Sequence, residues 1–221
     1  MHIPDGFVDL KTALGTGVIS AGGIGFSIYK VKQIFKARVI AMMGVMAALI
    51  FALQMINFTI PGGTSGHLLG GALVAVTLGP FAGIIVLTVV LIVQALVFMD
   101  GGLIALGSNI FNMAICGVLS AYLIYYLISR ISKERSVFYI SIAIASWFSV
   151  IFASFLAAIE LGISGTYSMG ITIKAMVLVH MVIGVGEALI TTAVVAFIYR
   201  IRPDLILTRY PKLNRTKINK K

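Results

Sequence analysis

The chain has 221 residues, of which 60% are hydrophobic and 11% are charged, and its mean hydropathy is +1.08. Soluble domains are about 45–50% apolar and about 25% charged, so this chain has too few polar side chains to cover a water-facing globule. Its single cysteine, Cys116, cannot form an internal disulfide. The composition excludes a soluble enzyme, a disordered chain and a disulfide-rich secreted scaffold, and it predicts an integral membrane protein.

The formal net charge is +10, and its placement predicts membrane orientation and not a nucleic-acid site. Fifteen of the 17 Lys and Arg residues lie within 30–38, 130–135 and 200–221. Loops rich in Lys and Arg mark the cytoplasmic side of membrane spans. We therefore expect these three segments to lie inside the cell.

Apolar stretches between the basic segments predict an all-α bundle of seven transmembrane helices. The predicted spans are about 12–29, 39–56, 67–79, 82–99, 103–129, 137–160 and 173–199. The third is short, so we expect it to be tilted, irregular or sheltered by its neighbours, and Pro80 predicts a tight hairpin to the fourth. With the basic loops inside, the N-terminus is outside and the C-terminus is cytoplasmic. Residues 1–200 then form one membrane domain, and 201–221 form a basic cytoplasmic tail.

The first span does not have the charge pattern of a signal peptide. Such a peptide carries basic residues before its apolar stretch, whereas here Asp5 and Asp9 come before it and the basic cluster follows. We therefore expect Met1 and His2 to remain in the mature chain.

The three histidines suggest a nitrogen-rich metal site near the outer face. His2 and His67 both fall on the outer side of the predicted topology, and His180 lies inside the seventh span. The Met1 amine, the His2 amide and the His2 imidazole can chelate one metal ion, and His67 can supply a fourth nitrogen. These ligands must lose protons, so affinity depends on pH. Four nitrogens in a plane suit Ni(II) or Cu(II) better than Zn(II).

The residues alone leave simpler interpretations open: His2 has no role, and His67 only caps the third span. Gly62, Gly63 and Gly66 allow the loop before His67 to fold closely against a buried terminus. The nucleotide-binding pattern G-x-x-x-x-G-K-[ST] does not occur in the chain, so we expect it to bind no nucleotide.

Further polar residues are predicted to support the site. These are Thr64, Ser65, Ser108, Asn109, Asn112, His180 and Glu187. His180 and Glu187 are seven residues apart and therefore share a helix face. They are interpreted as support for the metal ligands or as a proton or ion path, and the alternative is plain hydrogen bonding between helices.

Small residues in the second span form a row at every fourth position. Gly44, Ala48 and Ala52 allow another helix to approach closely. The row predicts either a contact inside the bundle or a docking surface for a partner membrane protein.

Four segments resemble one known family. They are Met1–Phe7, Ile60–Ala72, Asp100–Met113, and His180 together with Gly186–Thr191. In these segments the chain is similar to the CbiM/NikM family. The resemblance spans about residues 1–195. The members of this family are the substrate-capture (S) components of cobalt and nickel energy-coupling factor (ECF) transporters.

The resemblance implies a seven-helix fold whose N-terminus threads into the bundle. It also implies metal ligation by the Met1 amine, the His2 amide and imidazole, and His67. The implied function is capture of Co(II), supplied for cobalamin biosynthesis, or alternatively of Ni(II), in the cell membrane. The implied partners are a transmembrane coupling (T) subunit, cytoplasmic ATPases and a small accessory membrane subunit. Two other classes remain open: a non-transporting assembly or scaffold subunit, and a channel or proton-coupled carrier that uses His180 and Glu187.

Overall fold

The computed structural model describes residues 1–32 and 37–208, and this part of the chain is mostly helical. The helices are α1 (Leu10–Val31), α2 (Ala37–Gln54), α3 (Gly71–Leu78), α4 (Pro80–Val97), α5 (Leu106–Ser129), α6 (Arg135–Ile163) and α7 (Met169–Ile201). Helix α5 contains a π-helical stretch at Ile110–Gly117. Six of these helices are long and apolar enough to cross a membrane, and α3 is not. The chain is a multi-pass membrane protein.

Helix α3 differs from the third predicted span. Residues 67–70 are not helical, and the helix has only eight residues. Eight residues rise about 12 Å, which is less than half of the roughly 30 Å hydrocarbon core of a bilayer. All eight are buried. Of the options left open by the sequence, shelter by neighbouring helices is the one observed.

The turn between α3 and α4 is as tight as Pro80 predicts. Helix α3 ends at Leu78, Gly79 has a φ of 90°, and Pro80 is the first residue of α4. Proline suits this position because the first helical N–H has no partner inside the helix. Gly79 supplies the left-handed backbone conformation that a residue with a Cβ adopts rarely.

The two longest helices, α6 and α7, pack side by side. The Trp147 indole N–H donates to the Met181 carbonyl oxygen at 3.1 Å. A Cβ on Gly184 would lie 2.9 Å from the Trp147 side chain, so a glycine at 184 lets the helices approach. Helix α7 therefore packs closely against α6 at this level.

Residues after α7 cover the far end of α3. A 3-10 turn at Pro203–Leu205 leads to the buried Ile206. The Leu207 N–H donates to the Thr77 carbonyl oxygen at 2.7 Å, and the Thr208 hydroxyl donates to the Val76 carbonyl oxygen. Residues 209–221, most of the predicted basic tail, lie outside the described residues, as does Lys36 of the first basic cluster.

The row of small residues in α2 lies on the outer surface of the bundle. Gly44, Ala48 and Ala52 are all exposed, and a Cβ on Gly44 would meet no atom within 4 Å. The row is therefore not a helix contact within the described part of this chain.

Candidate metal centre

The first three residues are buried inside the bundle. Met1 and Ile3 have no exposed surface, and His2 is 3% exposed. The Ile3 N–H donates to Asn109 Oδ1 at 2.8 Å, and Asn109 Nδ2 donates to the Ile3 carbonyl oxygen at 3.1 Å. The Gly102 N–H donates to that same carbonyl oxygen at 2.9 Å. The N-terminus is thus fixed through the backbone of Ile3, and the nitrogen atoms of Met1 and His2 are not used in these contacts.

Asp5 fixes the outgoing chain at the N-terminal end of α5. Its carboxylate accepts hydrogen bonds from three consecutive backbone N–H groups at 2.7–3.1 Å, those of Leu103, Ile104 and Ala105. A Cβ on Gly102 would lie 2.1 Å from Asp5 Oδ1, so only glycine fits at position 102. These contacts explain why an aspartate occupies position 5 and a glycine position 102.

The Met1 amine and the His2 amide converge on one side chain. The Met1 amine donates to the Ser65 carbonyl oxygen and to Ser65 Oγ at 2.9 Å, and the His2 N–H donates to the same Oγ at 3.1 Å. Burial lowers the pKa of the amine well below its usual range, and this outweighs the opposite effect of Asp100. Burial therefore favours the neutral amine, which has a lone pair that a metal ion can take.

The His2 imidazole lies between two polar side chains. Its Nε2 lies 3.1 Å from Gln94 Oε1, and its Nδ1 lies 3.2 Å from Asp100 Oδ1. A metal ion bound at Nδ1 selects the neutral tautomer that carries its proton on Nε2, where Gln94 Oε1 can accept it. Burial lowers the pKa of His2 more than Asp100 raises it, so the neutral form prevails. Nδ1 is the ring nitrogen that can close a chelate with the amide nitrogen of the same residue.

His67 lies beside His2, and its Nε2 atom is available as a further nitrogen donor. Its ring stacks on the His2 ring, with centroids 4.4 Å apart and 17° between the planes. Nδ1 donates to the Leu68 carbonyl oxygen at 2.7 Å, which leaves the lone pair on Nε2. Nε2 is buried and has no hydrogen-bond partner among the described residues. Burial first, and then the Met1 amine and His2, lower the pKa of His67 well below its usual range.

Two helices grip the loop that follows His67. Glu187 of α7 accepts from the Leu69 N–H at 2.9 Å and from the Gly70 N–H at 2.7 Å. Gln54 of α2 donates to the Leu69 carbonyl oxygen at 2.7 Å. Leu69, two residues after His67, is therefore fixed through both its N–H group and its carbonyl oxygen.

The other predicted supporting residues have different placements. The Thr64 N–H points at Met176 Sδ, 3.5 Å away, and His180 lies one helical turn further along α7. Ser108 bonds with Thr16 of α1 at 2.8 Å. Asn112 donates to Glu160 of α6 at 2.8 Å. The hydrogen bonds of Ser108 and Asn112 thus connect helices, and neither is made to the loop that carries His67.

Three contacts of the site were not predicted from the sequence, namely those of Gln54, Gln94 and Asp100. The two glutamines carried a weak signal, since each is an isolated polar residue in an apolar span. In the described part of the chain, no group of three or more His, Cys, Asp or Glu side chains is placed to hold a metal ion. The nitrogen atoms gathered here are the Met1 amine, the His2 amide and the imidazoles of His2 and His67.

Replacing Asn109 with leucine is expected to weaken the binding of a divalent metal ion at this candidate centre by about tenfold to a hundredfold. The change removes two hydrogen bonds to Ile3, each worth about 0.5–1.5 kcal/mol net, and so loosens the N-terminus. Titration of the purified protein at fixed pH measures the effect. Ser20→Ala is the control, since Ser20 bonds to α5 at Gly107 without touching the N-terminus. Wild-type affinity in Asn109→Leu would contradict this role.

Comparison with known proteins places the chain in one family. Residues 2–205 match the CbiM family model, described as the cobalt uptake substrate-specific transmembrane region. A relative from Archaeoglobus fulgidus, named "Putative fused nickel transport protein NikMN", is 42% identical over 93% of this chain and 68% of its own length. A crystal structure of a transition metal transporter superposes with a TM-score of 0.88 at 35% identity, covering 94% of this chain and 96% of the other. The chain therefore belongs to the CbiM family and is a membrane component of cobalt or nickel transport, not an enzyme.

Proposed function

We propose that this chain is the metal-capture subunit of an ATP-driven ECF importer, with Co(II) as its substrate. The ligands are the Met1 amine, the deprotonated His2 amide, His2 Nδ1 and His67 Nε2. The observation that carries the proposal is the burial of the Met1 amine at Ser65, beside the stacked rings of His2 and His67. The mature chain must then begin at Met1 with a free amine.

Charge balance supports a divalent ion at this position. Isolated charges are costly in a buried site, so a bound cation needs nearby negative charge. The deprotonated amide of His2 supplies one negative charge, and Asp100, 3.2 Å from His2 Nδ1, supplies a second. Together they neutralise one M²⁺ without a carboxylate among its ligands.

The choice of cobalt follows the description of the family as a cobalt uptake region. Ni(II) is the alternative substrate, supported by the relative named as a nickel transport protein and by the preference of Ni(II) for four planar nitrogens. Both metal ions suit four nitrogen ligands, so a competition titration of Co(II) against Ni(II) decides which one is the substrate.

In this proposal the end of the bundle that holds Met1 faces the outside, and the end at 203–208 faces the cytoplasm. A transmembrane coupling subunit, cytoplasmic ATPases and a small accessory subunit complete the importer, and the cobalt supplies cobalamin biosynthesis. ATP hydrolysis by the partners distorts the bundle and pulls His67 away from the terminal chelate. Because Glu187 is hydrogen-bonded to the loop after His67, a movement of α7 would displace this loop and with it the metal ligand His67.

The proposal predicts that Co(II) binding at pH 7.5 releases about one proton per metal ion. Burial keeps the Met1 amine and both imidazoles unprotonated, so only the His2 amide loses a proton. The logarithm of the binding constant should then rise by about one per pH unit near neutrality, and more steeply in acid, where amine and imidazoles take up protons. Calorimetric titration in buffers of different ionisation enthalpy measures the release.

The contrary results of this titration are specific. An amine exposed to solvent has a pKa of about 7.7–8.0 and would release most of a second proton at pH 7.5. Binding without proton release would rule out the deprotonated amide, and absence of Co(II) and Ni(II) binding would rule out the function. Uptake of labelled Co(II) by cells, with and without the partner ATPases, tests the coupling to ATP.

A further inference from the structure

A third histidine nitrogen is buried without a partner. His180 in α7 has no exposed surface, and its Nδ1 donates to the Met176 carbonyl oxygen at 2.7 Å. That bond leaves the lone pair on Nε2, which is buried and has no hydrogen-bond partner among the described residues. Hydrogen bonding within the helix therefore accounts for one nitrogen only. A buried polar atom without a partner costs free energy, and such atoms in native proteins call for a ligand or another explanation.

The loop that carries His67 runs alongside the same part of α7. At one end the Thr64 N–H contacts Met176 Sδ, and at the other the Leu69 N–H contacts Glu187. Between them, a Cβ on Gly66 would lie 2.9 Å from Ile183 Cδ1. Residues 176, 180, 183 and 187 share one face of α7. The loop therefore passes His180 between Thr64 and Gly66, and His67 follows Gly66 directly.

Electrostatics agree with this placement. His180 is among the groups that lower the pKa of His67, after burial, the Met1 amine and His2. Each of these two buried imidazoles donates through Nδ1 to a backbone carbonyl oxygen, which leaves the lone pair of its Nε2 for another partner.

We propose that His180 Nε2 is a fifth ligand for Co(II) and that it determines the preference for cobalt over nickel. This inference rests on the four-nitrogen site of the proposed function. Ni(II) with four nitrogens in a plane has a complete coordination sphere. Co(II) accepts a further donor outside that plane, so an additional imidazole stabilises bound Co(II) more than bound Ni(II).

The test is His180→Phe, which keeps a ring of similar shape and removes the nitrogen. Co(II) affinity should fall by about 30-fold, equivalent to about 2 kcal/mol, while Ni(II) affinity stays within about threefold. The visible absorption of the Co(II) protein should change because its coordination number changes, and that of the Ni(II) protein should not. Leu178→Ala on the exposed side of α7 is the control and should leave both affinities and both spectra unchanged.

Each other outcome has a definite meaning. An unchanged Co(II) affinity and spectrum in His180→Phe would overturn the proposal, and so would an equal loss of both metals, which indicates a structural role. If His180→Phe does not fold, His180→Gln carries the same comparison. Failure of the wild-type protein to bind either metal would instead contradict the proposed function, so the two failures are distinguishable.

Discussion

Adding one residue before Met1 is expected to abolish metal binding, with a loss of at least about a thousandfold, or about 4 kcal/mol. The extension converts the amine into an amide, which removes one of four ligands. It also places a new residue where Met1 is fully buried and where the amine contacts Ser65. Titration of purified protein with Co(II) and Ni(II) measures the loss.

The control carries the same extra residue after Lys221 and should bind both metals normally. If the N-terminal extension prevents folding, protein whose Met1 amine is acetylated during synthesis, before folding, tests the same ligand without adding a residue. Acetylated or extended protein that binds Co(II) as tightly as the wild type would show that the amine is not a ligand.

Replacing Glu187 with alanine is expected to lower both stability and metal affinity. Two buried N–H groups, those of Leu69 and Gly70, lose their acceptor, at about 1–3 kcal/mol each. The free energy of unfolding should fall by about 2–6 kcal/mol on this basis. Because His67 precedes this backbone by two residues, Co(II) affinity should fall by about tenfold or more, or about 1.4 kcal/mol.

Denaturant unfolding in detergent and Co(II) titration measure the two effects of the Glu187 change. Glu187→Gln keeps one acceptor oxygen and should lie between the wild type and the alanine variant. Glu134→Ala, an exposed carboxylate at the start of α6, is the matched control and should leave both quantities unchanged within error. Wild-type stability in Glu187→Ala would mean that these two hydrogen bonds do not hold the loop.

The sequence predicted the helices well because a membrane imposes a simple requirement of length and apolarity. All six long helices overlap predicted spans within a few residues. The third span could not be predicted in the same way, since a helix of eight residues is possible only where neighbours bury it. That burial is a property of tertiary packing.

The candidate ligands could be proposed from the sequence because chelation by Met1 and His2 is local covalent geometry. His67 was paired with them by topology and by resemblance, and the stacked rings agree with that pairing. The residues that contact these ligands were harder to predict. Whether Gln94 or Asn112 reaches the site depends on how each helix is oriented about its own axis. Gln94 faces His2, while Asn112 faces Glu160.

X-ray absorption of the Ni(II)-loaded protein tests the central claim most directly, since it identifies the atoms bound to the metal. We predict a coordination shell of nitrogen only, with two imidazole rings in the wild type and one in His67→Ala. A shell dominated by oxygen, a sulfur ligand, or an unchanged number of imidazoles in His67→Ala would contradict ligation by Met1, His2 and His67.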